Sequence, residues 1–170
     1  MLQDPRRFAF TASLEAAWRD VRRELDGLHE EDFFPWYERG GYSGDWKICG
    51  VFAEADHPEG GRVSADVLRR CPRTMSLVSA VPGVNFGAFS LMGPRAIIHP
   101  HRDGGPRMFR CHLGLRVPEG CRFRMGERDV GWEEGRCLVF DGTTQHAAWN
   151  HSDEPRVVLI VDFRPEAHGL

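Results

Sequence analysis

The segment from Ile97 to Leu115, IIHPHRDGGPRMFRCHLGL, sets three histidines, an aspartate and three arginines between apolar runs. Charged side chains are seldom buried unless they are paired or bind something. His101 and Asp103 are two apart, so both can point the same way from an extended segment. A His-x-Asp pair followed by a distant histidine is the sequence form of the two-histidine, one-carboxylate triad. That triad holds Fe(II) on one face and leaves the other positions open. His146, in VFDGTTQHAAWN, follows a strongly apolar run and is the distal candidate. His151 competes for the role, but it stands in the turn-rich NHSDEP and is expected to be solvated. Asp103 has an alternative too, since RDGG can turn it out to solvent.

Arg156 opens the apolar run RVVLIVDF, ten positions beyond His146, and a charge there needs a counter-ion. A salt bridge to a local acid is the ordinary explanation. A dicarboxylate co-substrate is a sharper one, because a guanidinium fork binds a carboxylate through two hydrogen bonds. A 2-oxoglutarate chelating iron through its keto-acid end leaves its far carboxylate free for such a fork. Ser90, on the inward face of GAFSLM, adds a hydroxyl.

These residues need elements to hold them. In MFRCHLGLRV, Phe109, Cys111, Leu113, Leu115 and Val117 alternate with Met108, Arg110, His112, Gly114 and Arg116, giving one apolar and one cationic face. From alternation alone, that second face is as readily solvent surface as site. From Asn85 onward, NFGAFSLM, AIIHPH, CRFRM, RCLVFD, HAAWN and RVVLIVDF read as further short strands separated by Gly and Pro, the pattern of an antiparallel sandwich or barrel. Upstream, Leu14, Trp18, Val21, Leu25 and Leu28 recur at helical steps after Ser13, taken as N-cap. A second helical pattern starts at Ser64, Pro72 interrupts it, and Thr74 to Val81 continue as a short helix. The expected fold is α+β: one domain over 1–170, mainly helical over 1–82, with a jelly-roll core over 83–170.

Composition narrows the function. A net charge of −3 gives no basic surplus for nucleic acid, and there is no apolar run long enough for a membrane span. The N-terminus lacks the apolar stretch of a signal peptide. Five widely spaced cysteines without a CxxC pair suggest reduced thiols and a cytoplasmic setting.

The stretches CPRT, VPGVNFGAFSLMGPRAIIHPHR, RCHLGLRVP, WEEGRCLVFDGTTQHAAWN and RVVLIVDFRPE, from Cys71 to Glu166, resemble the aspartyl/asparaginyl β-hydroxylase family of Fe(II)- and 2-oxoglutarate-dependent dioxygenases. The resemblance implies a double-stranded β-helix, a cupin-like jelly-roll. It implies His101 and His146 as metal ligands and Ser90, Arg110, His112 and Arg156 as 2-oxoglutarate contacts. The implied reaction consumes O2 and 2-oxoglutarate, releases CO2 and succinate, and hydroxylates a C–H bond of an amino acid, free, in a peptide or carrier-tethered. The β-carbon is the expected position. Family members carry glycine where this chain has Asp103 and arginine where it has Met108. Asp103 most simply completes the triad as a third ligand, and Met108 removes a contact for an acidic substrate.

The rival reading is a metal-binding cupin that is not an oxygenase, an isomerase or a small-molecule-binding module. GPRAIIHPH and HAAWN then supply His99, His101 and His146 as ligands. That reading lacks the acid expected after His-x-His and leaves Arg110, His112 and Arg156 without a role. His99 is otherwise placed behind the metal or near the substrate, and His29, His57 and His168 at the surface. Trp132, Phe140 and Trp149 are expected in the pocket wall or the core.

Overall fold

The first 82 residues form α1 (Ala9–Ala16), α2 (Trp18–Asp26), α3 (Ala65–Arg70) and α4 (Pro72–Ser79). They also form four strands, β1 (Leu2–Gln3), β2 (Phe34–Pro35), β3 (Tyr42–Ser43) and β4 (Trp46–Ala53). Helix still outweighs strand in this part, but the sequence reading did not include its strands, of which β4 is the long one. β4 escaped notice because it is almost wholly buried, so it has no polar alternation to mark it as a strand. The long N-terminal helix is corrected as well. Ser13 lies inside α1, and the chain breaks at Ala17 (φ −98°, ψ 6°) before α2 begins. At α3 the reading holds: Ser64 Oγ accepts the Val67 N–H at 3.1 Å, and Pro72 stands in the first turn of α4, where its missing N–H costs nothing.

The second half forms β5 (Val84–Met92), β6 (Ile97–His101), β7 (Phe109–Arg116) and β8 (Cys121–Met125). It continues through β9 (Arg128–Val130), β10 (Cys137–Asp141), β11 (His146–Asn150) and β12 (Arg156–Phe163). This is a computed structural model, and it describes Met1–Leu170 throughout. One sheet runs β1-β10-β7-β12-β5-β4-β2 and the other β3-β6-β11-β8-β9, every pairing antiparallel. The arrangement is the α+β, jelly-roll core expected, with strands from both halves of the chain in both sheets.

Alternation in β7 decides what faces what. Phe109, Cys111, Leu113 and Leu115 join Val157, Leu159, Val161 and Phe163 of β12 in a core against the helices, where Leu14, Val21, Leu25, Val67 and Val78 meet them. The opposite faces turn towards the second sheet. There Val158 and Ile160 pack with Ile98, Phe123, Trp132, Phe140 and Ala148 in a second core. Arg110 and His112 project into that inter-sheet space, so the cationic face is interior and not solvent surface. Gly114 carries no side chain there because a Cβ would lie 2.1 Å from the Glu133 carbonyl oxygen, where the loop before β10 crosses the strand.

Candidate functional site

The strand register brings the two histidines together. His101 ends β6 and His146 begins β11, and they are direct cross-strand partners with ring centroids 4.2 Å apart. His101 Nδ1 lies 2.7 Å from the His99 carbonyl oxygen, and His146 Nδ1 lies 2.9 Å from that of Thr144. A carbonyl only accepts, so each Nδ1 carries the proton and each Nε2 keeps its lone pair for a metal. Asp103 completes the group: its Oδ1 is 3.5 Å from His101 Nε2 and 3.7 Å from His146 Nε2. The three donor atoms lie within 4.8 Å of one another. Asp103 thus turns inward, tied by its own N–H to the Gly142 carbonyl at 2.9 Å.

His99 does not join them. Its Nε2 faces Ser43 Oγ at 2.9 Å on the exposed side of β6, and only its carbonyl serves the site. The cupin ligand set of His99, His101 and His146 is therefore not assembled. His151 is exposed and remote from the cluster, beside Trp149. Trp149 points away as well, with Arg124 over its ring, whereas Trp132 and Phe140 line the cavity.

That cavity runs from His101 and His146 inward between the sheets to Ser90, His112, Trp132 and Arg156. Arg156 is 1% exposed. Its guanidinium lies 4.5 Å from the Trp132 ring and one Nη touches Met92 Sδ at 3.2 Å, but Nε and the other Nη have no hydrogen-bond partner. Burial pulls its pKa down to about 10, still charged at neutral pH. No acid answers it, so the salt bridge entertained from sequence is absent. Ser90 Oγ accepts from Trp46 Nε1 at 3.0 Å and keeps its own proton to donate.

Trp132 Nε1 donates to His112 Nδ1 at 3.1 Å, which fixes the proton of the neutral ring on Nε2, a buried donor without a partner. Burial, then the Arg156 and Arg110 charges, hold the His112 pKa well below its usual value of 6.5. The unfolded chain therefore binds a proton that the folded one refuses. This contribution to stability is fully present above about pH 6.5 and is lost as pH falls towards the folded value. Urea unfolding of the metal-free protein and of His112→Gln, between about pH 4.5 and 7, will show wild type gaining on the variant as pH rises, with a plateau above. A pH-independent difference would mean that His112 is not buried as the neutral ring.

Burial pushes His146 down to about 4, while the Asp103 carboxylate facing Nε2, which would accept a hydrogen bond from the protonated ring, raises His101. At Asp103, burial favours the neutral acid. The Arg110 charge and the two imidazoles outweigh it and leave the carboxyl below the usual range. Arg110 is not a free fork: Nε and Nη2 hold Asp162 at 2.7 and 2.8 Å, and Nη1 lies 3.5 Å from Asp103 Oδ2. Two partners were missed from sequence. Asp162 is a lone carboxylate in an apolar strand, paired in register with Arg110. Gly142 leaves the space that the Asp103 carboxylate fills.

Outside the metal group a wider cleft opens past Trp36, Tyr37, Arg102 and Met108. His57 borders it, its ring stacked 4.6 Å from that of Phe86, and is only partly exposed. His29 is exposed, and His168 contacts the Pro82 carbonyl at 3.0 Å. No helix is long and apolar enough to cross a membrane.

Comparison with known proteins agrees with this construction. The prolyl-4-hydroxylase of Pseudomonas putida superposes with a TM-score of 0.53 at 19% identity, covering 90% of this chain and 87% of that one, a likeness of fold. The ornithine lipid ester-linked acyl 2-hydroxylase of Rhizobium tropici is 39% identical over 106 residues, 61% of this chain and 38% of that protein. The human aspartyl/asparaginyl beta-hydroxylase is 32% identical over 166 residues, 91% of this chain but 21% of that protein. The chain thus spans well under half the length of either relative. The family model described as aspartyl/asparaginyl beta-hydroxylase matches residues 15–165, nearly the whole sequence, and the chain belongs to that family.

Proposed function

We propose that this chain is an Fe(II)- and 2-oxoglutarate-dependent dioxygenase that hydroxylates a C–H bond, most simply at the β-carbon, of an amino acid that is free, in a peptide or carrier-tethered. One observation carries the reading: the two histidines of a three-donor group line the same cavity as a fully buried arginine without an anion. The donor set suits iron, with two imidazoles presenting Nε2 and one carboxylate on one side. The far end suits a dicarboxylate, since Arg156 Nε and Nη1 and His112 Nε2 are buried polar atoms awaiting partners.

His101, Asp103 and His146 would hold the metal. Arg156 and Ser90 would take the far carboxylate, and His112 would donate a hydrogen bond from Nε2–H to the co-substrate while staying neutral. When bound, iron, 2-oxoglutarate and O2 supply an oxidative decarboxylation to CO2 and succinate that delivers one oxygen atom to the substrate carbon. The protein's part is orientation and dryness. Phe123, Phe140, Ile98 and Trp132 close the cavity against water, so the ionic contacts inside act at low dielectric. Substrate enters by the outer cleft, where Met108 offers an apolar contact.

The test is succinate release from 2-oxoglutarate with Fe(II) and ascorbate across amino acids and short peptides. At least one substrate will raise succinate formation stoichiometrically with a product 16 mass units heavier, roughly one oxygen atom gained. A protein that neither binds 2-oxoglutarate nor releases succinate would not be an oxygenase of this kind.

A further inference from the structure

The environment of Asp103 explains itself poorly as chance and well as construction. Its Oδ1 faces both imidazole Nε2 atoms, and its Oδ2 faces Arg110 Nη1 at 3.5 Å. Arg110 is in turn fixed by a bidentate pair with Asp162, which is 7% exposed and directly opposite it on β12. On the remaining side stands Gly142. A Cβ built there would lie 2.3 Å from Asp103 Oδ2 and 3.1 Å from Cγ, and its three nearest neighbours are all atoms of the Asp103 side chain. The Gly142 carbonyl holds the Asp103 N–H, so the same residue fixes the backbone and makes room for the carboxylate.

Resting on the metal-dependent reading above, the structure assigns Arg110, Asp162 and Gly142 as positioning residues for the Asp103 carboxylate as third metal ligand, with Arg110 acting on the metal side and not as a 2-oxoglutarate clamp. A guanidinium whose Nε and Nη2 are held by Asp162 and whose Nη1 lies 3.5 Å from Asp103 is already paired with two carboxylates, so its charge is answered without a third anion. A glycine whose missing side chain is replaced by an aspartate side chain is a seat for that aspartate. Ligand carboxylates are generally held by such outer partners, and loss of one lowers metal affinity 10- to 100-fold.

The test is anaerobic titration of the full chain with Co(II), reading affinity and the visible ligand-field spectrum, beside 2-oxoglutarate affinity in the metal-loaded protein. Asp103→Gly will weaken Co(II) binding by more than about tenfold. Arg110→Met, Asp162→Asn and Gly142→Ala will each weaken it roughly tenfold and shift the spectrum towards that of Asp103→Gly. None will weaken it further when combined with Asp103→Gly, because each acts through that carboxylate. Asp162→Asn keeps an acceptor for Arg110, and the only clash of Gly142→Ala is with Asp103, so two variants remain informative if Arg110→Met does not fold.

Unchanged Co(II) affinity in Asp162→Asn and Gly142→Ala would overturn the assignment. So would an Arg110→Met that binds Co(II) normally and loses 2-oxoglutarate. Failure of the underlying reading looks different: wild type would then bind Co(II) no better than His101→Ala.

Discussion

Replacing Arg156 with methionine will weaken 2-oxoglutarate binding roughly 30- to 150-fold, the equivalent of about 2–3 kcal/mol for a charge-assisted bidentate contact. It will also raise the melting temperature of the protein without co-substrate. The two effects share one cause. Arg156 is fully buried at the head of β12 with two nitrogens unpartnered, its charge resting only on the Trp132 ring and Met92 Sδ. A buried charge without an anion costs stability, and an apolar side chain of similar length removes that cost. Co-substrate binding recovers it by supplying the anion. Arg156→Lys keeps the charge and loses the fork, so its affinity will fall between the two. Calorimetric titration of 2-oxoglutarate into the three iron-loaded proteins, with thermal melts of the unloaded ones, measures both signs. Equal dissociation constants would remove the case for a dicarboxylate at this end of the cavity.

Loss of either imidazole will be larger still. His101→Ala and His146→Ala are each expected to lower Fe(II) affinity by more than about 100-fold, beyond the range for outer partners. Both will lack the weak visible charge-transfer band that the wild type is expected to give with Fe(II) and 2-oxoglutarate in the absence of oxygen. The two histidines are cross-strand partners, so neither has a neighbour able to replace it. His99 is turned to Ser43 on the other side of the strand. Variants that bind iron as tightly as the wild type would show these ligands to be wrong.

Much of the site was legible from strand alternation and from family motifs. Period two in MFRCHLGLRV put Arg110 and His112 on one face, and β7 turns that face inward. What alternation cannot say is what stands opposite. Arg110 was readable as part of a cationic face and, by family resemblance, as a 2-oxoglutarate contact, but its pairing with Asp162, more than fifty positions away, is defined only by the β7–β12 register. Gly142 was just as hidden, because a glycine after a strand reads as a turn until the atom occupying its missing side chain is known. Trp149 and Trp132 were indistinguishable as aromatic residues near strands, yet one carries Arg124 at the surface and the other bonds His112 in the cavity. The N-terminal half was the least legible. β4 is covered on both faces, and its strand character comes from pairing with β5.

The two histidines proposed as metal donors and the proposed carboxylate clamp belong to different sheets. His101 and His146 stand on β6 and β11 of one, and Ser90, His112 and Arg156 on β5, β7 and β12 of the other. Facing sheets keep a spacing of roughly 10 Å, set by the side chains packed between them. A diacid with one end at the metal and the other at Arg156 therefore spans a fixed gap, and the core works as a ruler. On the proposed reading, a four-carbon keto diacid would leave one end unheld, and a six-carbon one would press on the cavity wall that Phe140 and Ile160 help to form. On that reading, selectivity for a five-carbon co-substrate would follow from the thickness of the sandwich more than from any single contact, and core substitutions far from the site that alter the thickness are expected to alter which keto acid is accepted.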